Sequence, residues 1–539
     1  MPDPSDPFFR SSTGQPCDEG IVVSSPPNAI CTPQSAPWIL AATILGSSLA
    51  FIDGTVVNLA LPALQSNLGA TVTAMQWVVE SYALLLTSFM LAGGSLGDIY
   101  GRKRIFIAGV VVFAAASMWC GLASSVSVLI AARCLQGIGG ALLVPGSLAI
   151  LGASFQESER GKAIGTWSAF TSITSAAGPV LGGFLIEHAS WRWVFFLNLP
   201  VALAVVAITI WHVPESRNEK AAATLDWPGA LLASIGLAGL VYALIESAKR
   251  SWSDPVLIAV SVLGVSALAA FVAVEYNSSV PLLPLGLFRS RTFSGVNLLT
   301  LFLYGALSGL LFFLPLNLIQ VQGYSATAAG GAMLPFILLM FLLSRWSGGL
   351  VDRYGARRPL VIGPIIVAAG FALFAFPGIG GSYWTTYFPA VMLLGVGMAI
   401  SVAPLTTTVM NSVSVEHAGT VSGINNAVSR LAGLLAVAVL GVVMLAVFNR
   451  NLASGLAALD LDSKTRVEIE SQREKLAAID VPQQIELEQK TRIEEAIDES
   501  FLAGFRIVVV GASVLALLSA GTAWLSIKKT QDQRSPTSA

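Results

Sequence analysis

Charged residues are scarce in this chain: Asp, Glu, Lys and Arg make up 11% of its 539 residues, against about 25% in ordinary soluble domains. Hydrophobic residues make up 54%, and they gather in runs that reach the roughly 20 residues needed to cross a bilayer. This composition excludes a soluble globular protein and predicts an all-α integral membrane protein in contact with membrane lipid. The formal net charge of −1 says nothing about nucleic acid, because what matters in a membrane protein is how charge is distributed among the loops. We expect no nucleic-acid partner.

Histidine and cysteine are also rare, with three and four residues. The histidines are scattered, and the cysteines show neither metal-ligand nor redox spacing, so we interpret the cysteines as free thiols. No glycine-rich loop ending in Gly-Lys-Ser or Gly-Lys-Thr is present, which argues against ATP as the direct energy source. We therefore expect neither an enzyme nor a metal or cofactor.

A charged, glycine-punctuated turn between two apolar runs occurs twice, at 93–104 and 348–358. Downstream, Gly161, Gly165 and Gly183 match Gly419, Gly423 and Gly441 at a nearly equal offset. The chain therefore consists of two related halves, the pattern of a transporter built from parallel repeats. Five pairs in and beside the turn share one offset: Asp98 and Asp352, Tyr100 and Tyr354, Gly101 and Gly355, Arg104 and Arg358, Gly109 and Gly363.

The apolar runs predict fourteen membrane spans. Residues 1–37, rich in Pro, Ser, Asp and Gly, predict a disordered tail, and 528–539 a second tail. The first six spans form an N-terminal unit over 38–213, two more lie in a linker over 214–292, and six form a C-terminal unit over 293–527. The predicted spans are 38–63, 73–95, 105–123, 127–152, 163–188, 193–213, 227–247, 255–275, 293–320, 327–350, 359–376, 385–410, 421–448 and 499–527.

The distribution of basic residues predicts the orientation. Lysines and arginines, including those of 102–104 and 353–358, fall on alternate loops, and the opposite loops offer little beyond Arg192, Lys249 and Arg250. The positive-inside bias then places both termini and both copies of the charged turn in the cytoplasm of a cell-membrane protein.

Four motifs in order resemble the major facilitator superfamily, and within it the fourteen-span drug:proton antiporters. They are the charged turn 94–104, Arg-Cys-Leu-Gln-Gly at 133–137, Gly-Pro-Val-Leu-Gly-Gly at 178–183 and Asp-Gly-Thr-Val-Val-Asn-Leu-Ala-Leu-Pro at 53–62. The resemblance implies two six-helix bundles related by a pseudo-twofold axis, two additional linker helices, and proton-driven export of amphipathic compounds. It also assigns Gly178, Pro179, Gly182 and Gly183 to the antiporter motif.

The charged turn is interpreted as a cytoplasmic gate. Its arginines are expected to pair with acidic groups of the other bundle and to hold the two bundles together. The alternative is that they only anchor the chain at lipid headgroups. The candidate gate residues are Gly94, Asp98, Gly101, Arg102, Arg104, Asp352 and Arg358.

Charges inside membrane spans are costly and mark functional sites. Asp53, Glu80, Arg133, Arg345 and Arg430 are such residues. We interpret all of these except Arg345 as the proton-coupling and substrate residues, because protons and a cationic substrate compete for a buried carboxylate. For Asp53 a permanent ion pair or a hydrogen bond to a neighbour is the alternative, and Glu80 is expected near the outer water.

Further polar residues are expected to line the cavity. Arg430 admits an anionic or zwitterionic substrate as well as a cationic one. The candidate lining residues are Gln76, Gln136, Asn297, Tyr304 and Asn426.

Residues 449–498 are rich in charge and predict amphipathic helices outside the membrane. They are interpreted as a cap on the last two spans or as a lid or docking surface for an envelope partner. Three functions follow for what we expect to be a monomer. The first is a proton-coupled exporter of small, hydrophobic, often cationic compounds. The second is an exporter of a lipid, fatty acid or other metabolite working with a partner. The third is a membrane receptor that binds without transport.

Overall fold

A computed structural model describes residues 35–527, except 156, 218–225, 248–249, 251–252, 279–280, 282, 413–417, 460 and 483–484. Most of the predicted tail 1–37 and all of 528–539 lie outside the described residues, as do the side chains of Arg345 and Asp352. All regular structure in the described part of the chain is helical.

The helices of the first half follow the predicted spans. Serine, threonine and aspartate side chains cap several helix starts, for example Thr71 on Ala74 N and Asp226 on Gly229 N, as such side chains do in general. The first half and linker contain α1 (Ala36–Leu68), α2 (Val72–Tyr100), α3 (Arg102–Gly121), α4 (Val126–Ser154), α5 (Glu157–His188), α6 (Arg192–Phe196), α7 (Asn198–His212), α8 (Trp227–Glu246) and α9 (Pro255–Asn277).

The second half repeats this order with more breaks. A 3₁₀ turn (Leu285–Arg289) precedes it, and a π turn (Asn317–Val321) extends its first helix. Its helices are α10 (Arg291–Leu316), α11 (Ala326–Ala332), α12 (Leu334–Gly348), α13 (Leu350–Tyr354), α14 (Arg357–Leu373), α15 (Tyr383–Thr386), α16 (Phe388–Met410), α17 (Ala418–Ala457), α18 (Ser463–Ser471) and α19 (Leu487–Ser526), with a 3₁₀ turn at Arg473–Ala478.

Among the described residues, eleven helical segments are long and apolar enough to cross a membrane. The number is twelve if the two parts of α2, Val72–Met90 and Ala92–Tyr100, count as one span. The predicted spans 163–188 and 359–376 are not among them. The helix α14 has only 17 residues, and several side chains of α5 between 163 and 176 lie outside the described part of the structure. The number fourteen therefore stays a prediction.

Corresponding helices of the two halves have corresponding neighbours. In the first half α4 packs on α2 and α3, and in the second half α16 packs on α12 and α14. In the same way α1 packs on α5 and α7, whereas α10 packs on α17 and α19. The linker helices α8 and α9 pack on each other, and α8 also contacts α2 and α17. The repeat found in the sequence is thus also a repeat in the packing.

Two glycines of the repeated turn share a backbone conformation. Gly101 has φ +110° and Gly355 has φ +74°, in the region that L-residues with a side chain rarely adopt. Each of them separates two helices that meet at the turn. The repeated turn therefore has a glycine at the same position in both halves because the backbone reverses sharply there.

The glycines that follow the two turns pack in the same way. A Cβ at Gly109 would lie 2.8 Å from Leu143 N on α4, and a Cβ at Gly363 would lie 3.2 Å from Ser401 N on α16. In both halves the lack of a side chain lets two helix backbones approach closely, as small residues do between membrane helices.

The ends of the bundle are named here by their turns: the Gly101 end, where α2 meets α3, and the Gly69 end, where α1 meets α2. At the Gly69 end the halves touch through an equivalent pair of glycines. A Cβ at Gly183 on α5 would overlap Ala326 O on α11, and one at Gly441 on α17 would overlap the side chain of Gln76 on α2. Gln76 Nε2 also donates to Val437 O at 2.8 Å.

The described residues of 449–498 cover this same end. Helices α17 and α19 have 40 residues each, about 60 Å at ~1.5 Å per residue, roughly twice the ~30 Å hydrocarbon core. Between them, Leu476 is fully buried although its φ is +54°. Gln65 Nε2 donates to Lys475 O at 2.7 Å and its Oε1 accepts from Gln320 Nε2 at 3.0 Å. These contacts place Lys475 and Leu476 at the Gly69 end. The cap, the lid and the docking surface all stay predictions.

Candidate transport site

Asp53 and Arg133 meet inside the first half. Asp53 lies in the middle of α1, and Arg133 shares a face of α4 with Gln136 because the two are three positions apart. A Cβ at Gly137 would lie 2.5 Å from Tyr82 O, so the glycine lets α4 approach α2. The sequence therefore brings a carboxylate, a guanidinium and an amide to one contact between α1, α2 and α4.

The polar atoms of this cluster are bonded to one another. Arg133 Nη1 donates to Asp53 Oδ2 at 2.5 Å and to Gln136 Oε1 at 2.8 Å. Gln136 Nε2 donates to Asp53 Oδ1 at 2.8 Å, and Arg133 Nε donates to Val78 O at 3.0 Å. The guanidinium also lies 4.1 Å from the centroid of the Tyr82 ring. Asp53 and Arg133 are each 1% exposed, so each charge depends on the other for compensation.

A central cavity of about 370 Å³ lies between the two halves. Helices α1, α2 and α4 form one wall, and α10 and α17 form the other. Asp53 does not border it, because its carboxylate is enclosed by the cluster with Arg133 and Gln136. The ionisable residues that border the cavity are Glu80, Tyr82, Arg133, Tyr304 and Arg430.

Glu80 differs from Asp53 in its surroundings. It borders the central cavity and is 1% exposed, and its Oε2 has no hydrogen-bond partner among the described residues. An ionised carboxylate buried without partners is costly. A proton or a cationic group beside Glu80 would remove this cost. Glu80 is therefore the carboxylate that borders the cavity. The sequence predicted that Glu80 lies near the outer water, but its side chain is buried between the two halves.

The five residues expected to line the cavity lie in different places. Tyr304 borders it, whereas Gln76, Gln136, Asn297 and Asn426 do not. Gln76 bonds between α2 and α17, and Gln136 belongs to the Asp53 cluster. Helical periodicity correctly predicted that these amides are buried. It did not predict that they contact neighbouring helices instead of the cavity.

A second buried polar cluster joins α10 and α17. Asn425 Nδ2 donates to Asn297 Oδ1 at 3.0 Å and to Thr300 Oγ1 at 2.9 Å. All three residues are nearly or fully buried. This cluster holds the two helices that carry Tyr304 and Arg430 into the cavity wall. It fixes the second half of the site as the Asp53 cluster fixes the first.

The charged turn at the Gly101 end forms its ion pair internally. Arg102 Nε and Nη2 donate to Asp98 Oδ1 at 2.9 and 2.8 Å across Gly101. The Arg102 side chain is 1% exposed and lies against Ala149 O, 3.4 Å from Nη1. Arg102 therefore connects the start of α3 to the end of α2 and to the end of α4. Gly94 lies further up α2, near Pro145.

Glu215 completes the turn and was missed from the sequence. Lys103 N donates to Glu215 Oε1 at 3.0 Å, and Arg104 Nε lies 3.6 Å from its Oε2. Arg102 N donates to Ser216 O at 2.9 Å. The arginines were expected to pair with the other half. Instead, Glu215 and Ser216 lie at the start of the linker, where the chain after α7 passes the start of α3. The available signal was an acidic residue directly after the sixth predicted span.

The residues of the antiporter motif lie on the face of α5 that contacts α1 and α11. A Cβ at Gly178 would lie 2.9 Å from Thr55 Oγ1, and one at Gly182 would overlap Val56. Gly183 faces α11 as described above, and Pro179 O occupies the place of a Cβ at Gly330. The motif is thus the surface of α5 that packs on α1 of its own half and on α11 of the other half.

Membrane-length helices in two similarly packed halves, with a partly charged cavity between them, define this protein as a multi-pass membrane transporter. Comparison with known families agrees. The model of the Major Facilitator Superfamily matches residues 43–437, and the chain belongs to this superfamily. It is a transporter and not an enzyme.

Relatives of known name cover most of the chain. It is 34% identical over 495 residues to the multidrug resistance protein Stp of Mycobacterium tuberculosis, covering 90% of this chain and 91% of that protein. It is 36% identical to the puromycin resistance protein pur8 of Streptomyces alboniger, covering 75% and 81%. A solved bacterial homologue of the human lysosomal transporter Spinster has a TM-score of 0.68 and 16% identity, covering 94% of this chain and all of that one. The last likeness concerns the fold alone.

Proposed function

We propose that this protein is a proton-coupled antiporter that exports amphipathic, mainly cationic compounds. It lies in the cell membrane with both termini in the cytoplasm, and its fourteen spans form two six-helix bundles joined through the linker helices α8 and α9. The corresponding neighbours of corresponding helices support the two bundles, and the names of the relatives support the class of substrate.

One observation carries the energetic part of the proposal: Glu80 borders a cavity between the halves, and its buried Oε2 has no hydrogen-bond partner among the described residues. A proton neutralises this carboxylate when the site is empty, and a cationic substrate replaces the proton when it binds. The site then exchanges one for the other in each cycle. Asp53 and Arg133 hold the wall of the cavity next to Glu80.

Alternating access requires the halves to separate at one end while they meet at the other. The contacts of Gly183 with α11 and of Gly441 with Gln76 close the Gly69 end, which the positive-inside bias places outside. Export requires these two contacts to open. We assign residues 449–498 to a cap over this end, because Lys475 and Leu476 lie on it. A docking surface for an envelope partner is the alternative.

Everted membrane vesicles provide the test. The vesicles are acidified inside, and an interior pH dye reports proton release when cationic, neutral or anionic amphiphiles are added. We expect protein-dependent release with cationic amphiphiles and none in vesicles without the protein. Uphill accumulation of substrate in the absence of both a pH gradient and a voltage would contradict proton coupling.

A second candidate substrate class has one observation in its favour. Arg430 borders the central cavity together with Arg133, so the cavity also presents positive charge. A zwitterionic or anionic lipid or metabolite has a group to match it. In the same vesicles, proton release by anionic or zwitterionic amphiphiles alone would replace the cationic class with this one.

Replacing Asp98 with asparagine is expected to slow transport and leave binding nearly unchanged. Arg102 is buried and would lose the charged partner 2.8 Å away, which is worth about 1.5–3 kcal/mol, or about tenfold to more than a hundredfold in a rate. Asp98 does not border the central cavity. Turnover in proteoliposomes and equilibrium binding of the same substrate measure the two effects.

Asp254→Asn is the matched control for this variant, because Asp254 pairs with Arg250 at 3.0 Å with the same four-residue spacing but on an exposed loop. We expect normal turnover from it. An Asp98→Asn protein that turns over normally but binds weakly would contradict a role of the Asp98–Arg102 pair in turnover.

A further inference from the structure

A second, apolar cavity adjoins the central one. It has a volume of about 200 Å³ and lies between α1, α5, α10, α11 and α12. For comparison, an apolar cavity of about 150 Å³ is large enough to hold benzene. Most of its wall is hydrocarbon, contributed by Leu59, Leu314, Leu318, Met333, Phe336 and Ile337.

The two cavities meet along α1. Gly54, Thr55, Asn58 and Leu311 border both of them. Three of the four lie on two consecutive turns of α1, so a single stretch of this helix separates the charged cavity from the apolar one. A molecule that extends past this stretch contacts both.

Gly54 stands at this junction without a packing reason. A Cβ built there has no heavy atom within 4 Å, in contrast to Gly178 and Gly182 on the facing helix. Glycine inside a helix costs about 1 kcal/mol relative to alanine, and no neighbour requires it here. What the missing side chain leaves open is the space between the two cavities.

The chemistry of the two cavities differs. Glu80, Arg133 and Arg430 border the central cavity, whereas none of the residues that border the apolar cavity is charged. A molecule that fills both must therefore carry a charged or polar group at one end and an extended apolar group at the other, since burial of hydrocarbon is favourable and burial of an unpaired charge is not.

We propose that one elongated amphiphile occupies both cavities at once, with its polar end in the central cavity and its apolar tail passing Gly54 into the apolar cavity. This rests on the proposed function of exporting amphipathic compounds and deepens it to a shape of substrate. Gly54 is then the residue that admits the tail, and a larger side chain at this position restricts the protein to compact substrates.

Photolabelling locates the tail directly. The probe is an alkyltrimethylammonium ion with a diazirine at the end of its chain, irradiated with the full-length protein in lipid nanodiscs without a pH gradient. We expect label on Met333, Phe336 or Ile337, removed by excess dodecyltrimethylammonium. In Gly54→Leu we expect loss of this label, and in Gly54→Ala an intermediate amount. Gly521→Leu is the control, because Gly521 also has no heavy atom within 4 Å of a Cβ but lies on α19 away from both cavities.

Three outcomes would overturn the proposal: label only on side chains outside both cavities, such as Leu342; label that excess dodecyltrimethylammonium does not remove; or equal labelling of Gly54→Leu and the parent. Thermal unfolding of each variant shows whether loss of label follows loss of fold. If Gly54→Leu is unfolded, Gly54→Ala decides, because its single methyl group has open space. Labelling needs no proton flux, so a tail site without proton-driven export would refute the proposed function and keep this inference.

Discussion

Arg133→Met is expected to lower the free energy of unfolding by about 3–5 kcal/mol, the range for a buried ion pair that loses one partner. The variant leaves the Asp53 carboxylate buried, with Gln136 as its hydrogen-bond donor among the described contacts. It also removes the guanidinium that borders the cavity and lies over Tyr82, so transport is expected to stop. Chemical unfolding in mixed micelles and efflux from cells measure the two effects.

Asp53→Asn separates charge from packing at the same place. Asparagine keeps the shape and can still accept from Gln136, and we expect an inserted protein without proton-driven efflux. The double variant, Asp53→Asn with Arg133→Met, has no unpaired buried carboxylate. It is therefore expected to be more stable than Arg133→Met alone. If Asp53→Asn and the parent show equal efflux, Asp53 has no part in the mechanism. If the double variant loses the sum of the two single losses in free energy of unfolding, the Asp53–Arg133 pair does not stabilise the protein.

Glu80→Gln is expected to abolish the dependence of accumulation on the pH gradient. A gradient of one pH unit supplies about 1.4 kcal/mol per proton, or about tenfold accumulation of a monovalent cation exchanged for one proton. Glutamine has a similar shape and no proton to exchange. The variant should therefore equilibrate substrate across proteoliposomes and concentrate none. Accumulation ratios measured over a series of imposed pH gradients provide the result.

Glu246→Gln is the control for Glu80→Gln. The Glu246 carboxylate accepts from Trp77 Nε1 at 3.2 Å and links α8 to α2 without bordering the central cavity. We expect it to keep the parent's dependence on the pH gradient. If Glu80→Gln still concentrates substrate in proportion to the gradient, Glu80 is not the proton carrier and another group exchanges the proton.

Much of the fold can be predicted from the sequence, because membrane spans are a matter of composition and length. The predicted spans 127–152 and 227–247 differ from α4 and α8 by at most two residues at either end. The last two long helices were too short in the prediction, 421–448 and 499–527 against Ala418–Ala457 and Leu487–Ser526. Their extra turns are amphipathic and leave the bilayer, so hydropathy alone ends the helix too early.

The candidate site was predicted less completely. Asp53, Glu80, Arg133 and Arg430 stand out from sequence alone because charges are rare in membrane spans. Their division into a closed cluster and a cavity wall depends on how each helix is rotated about its axis. Gln136 illustrates this: it shares a face with Arg133, as predicted, yet that face meets Asp53 instead of the cavity.

The sequence by itself determined a membrane protein of two related halves, the residues of its turns and the few charges within its spans, because composition, repeat spacing and helical periodicity are properties of the chain. Only the tertiary structure decided that Arg133 meets Asp53 across 80 positions, that Glu215 completes the charged turn, and that Gly54 lies between two cavities. Those relations depend on which helices become neighbours and how they are rotated. Packing between distant segments sets both, and no local pattern records it.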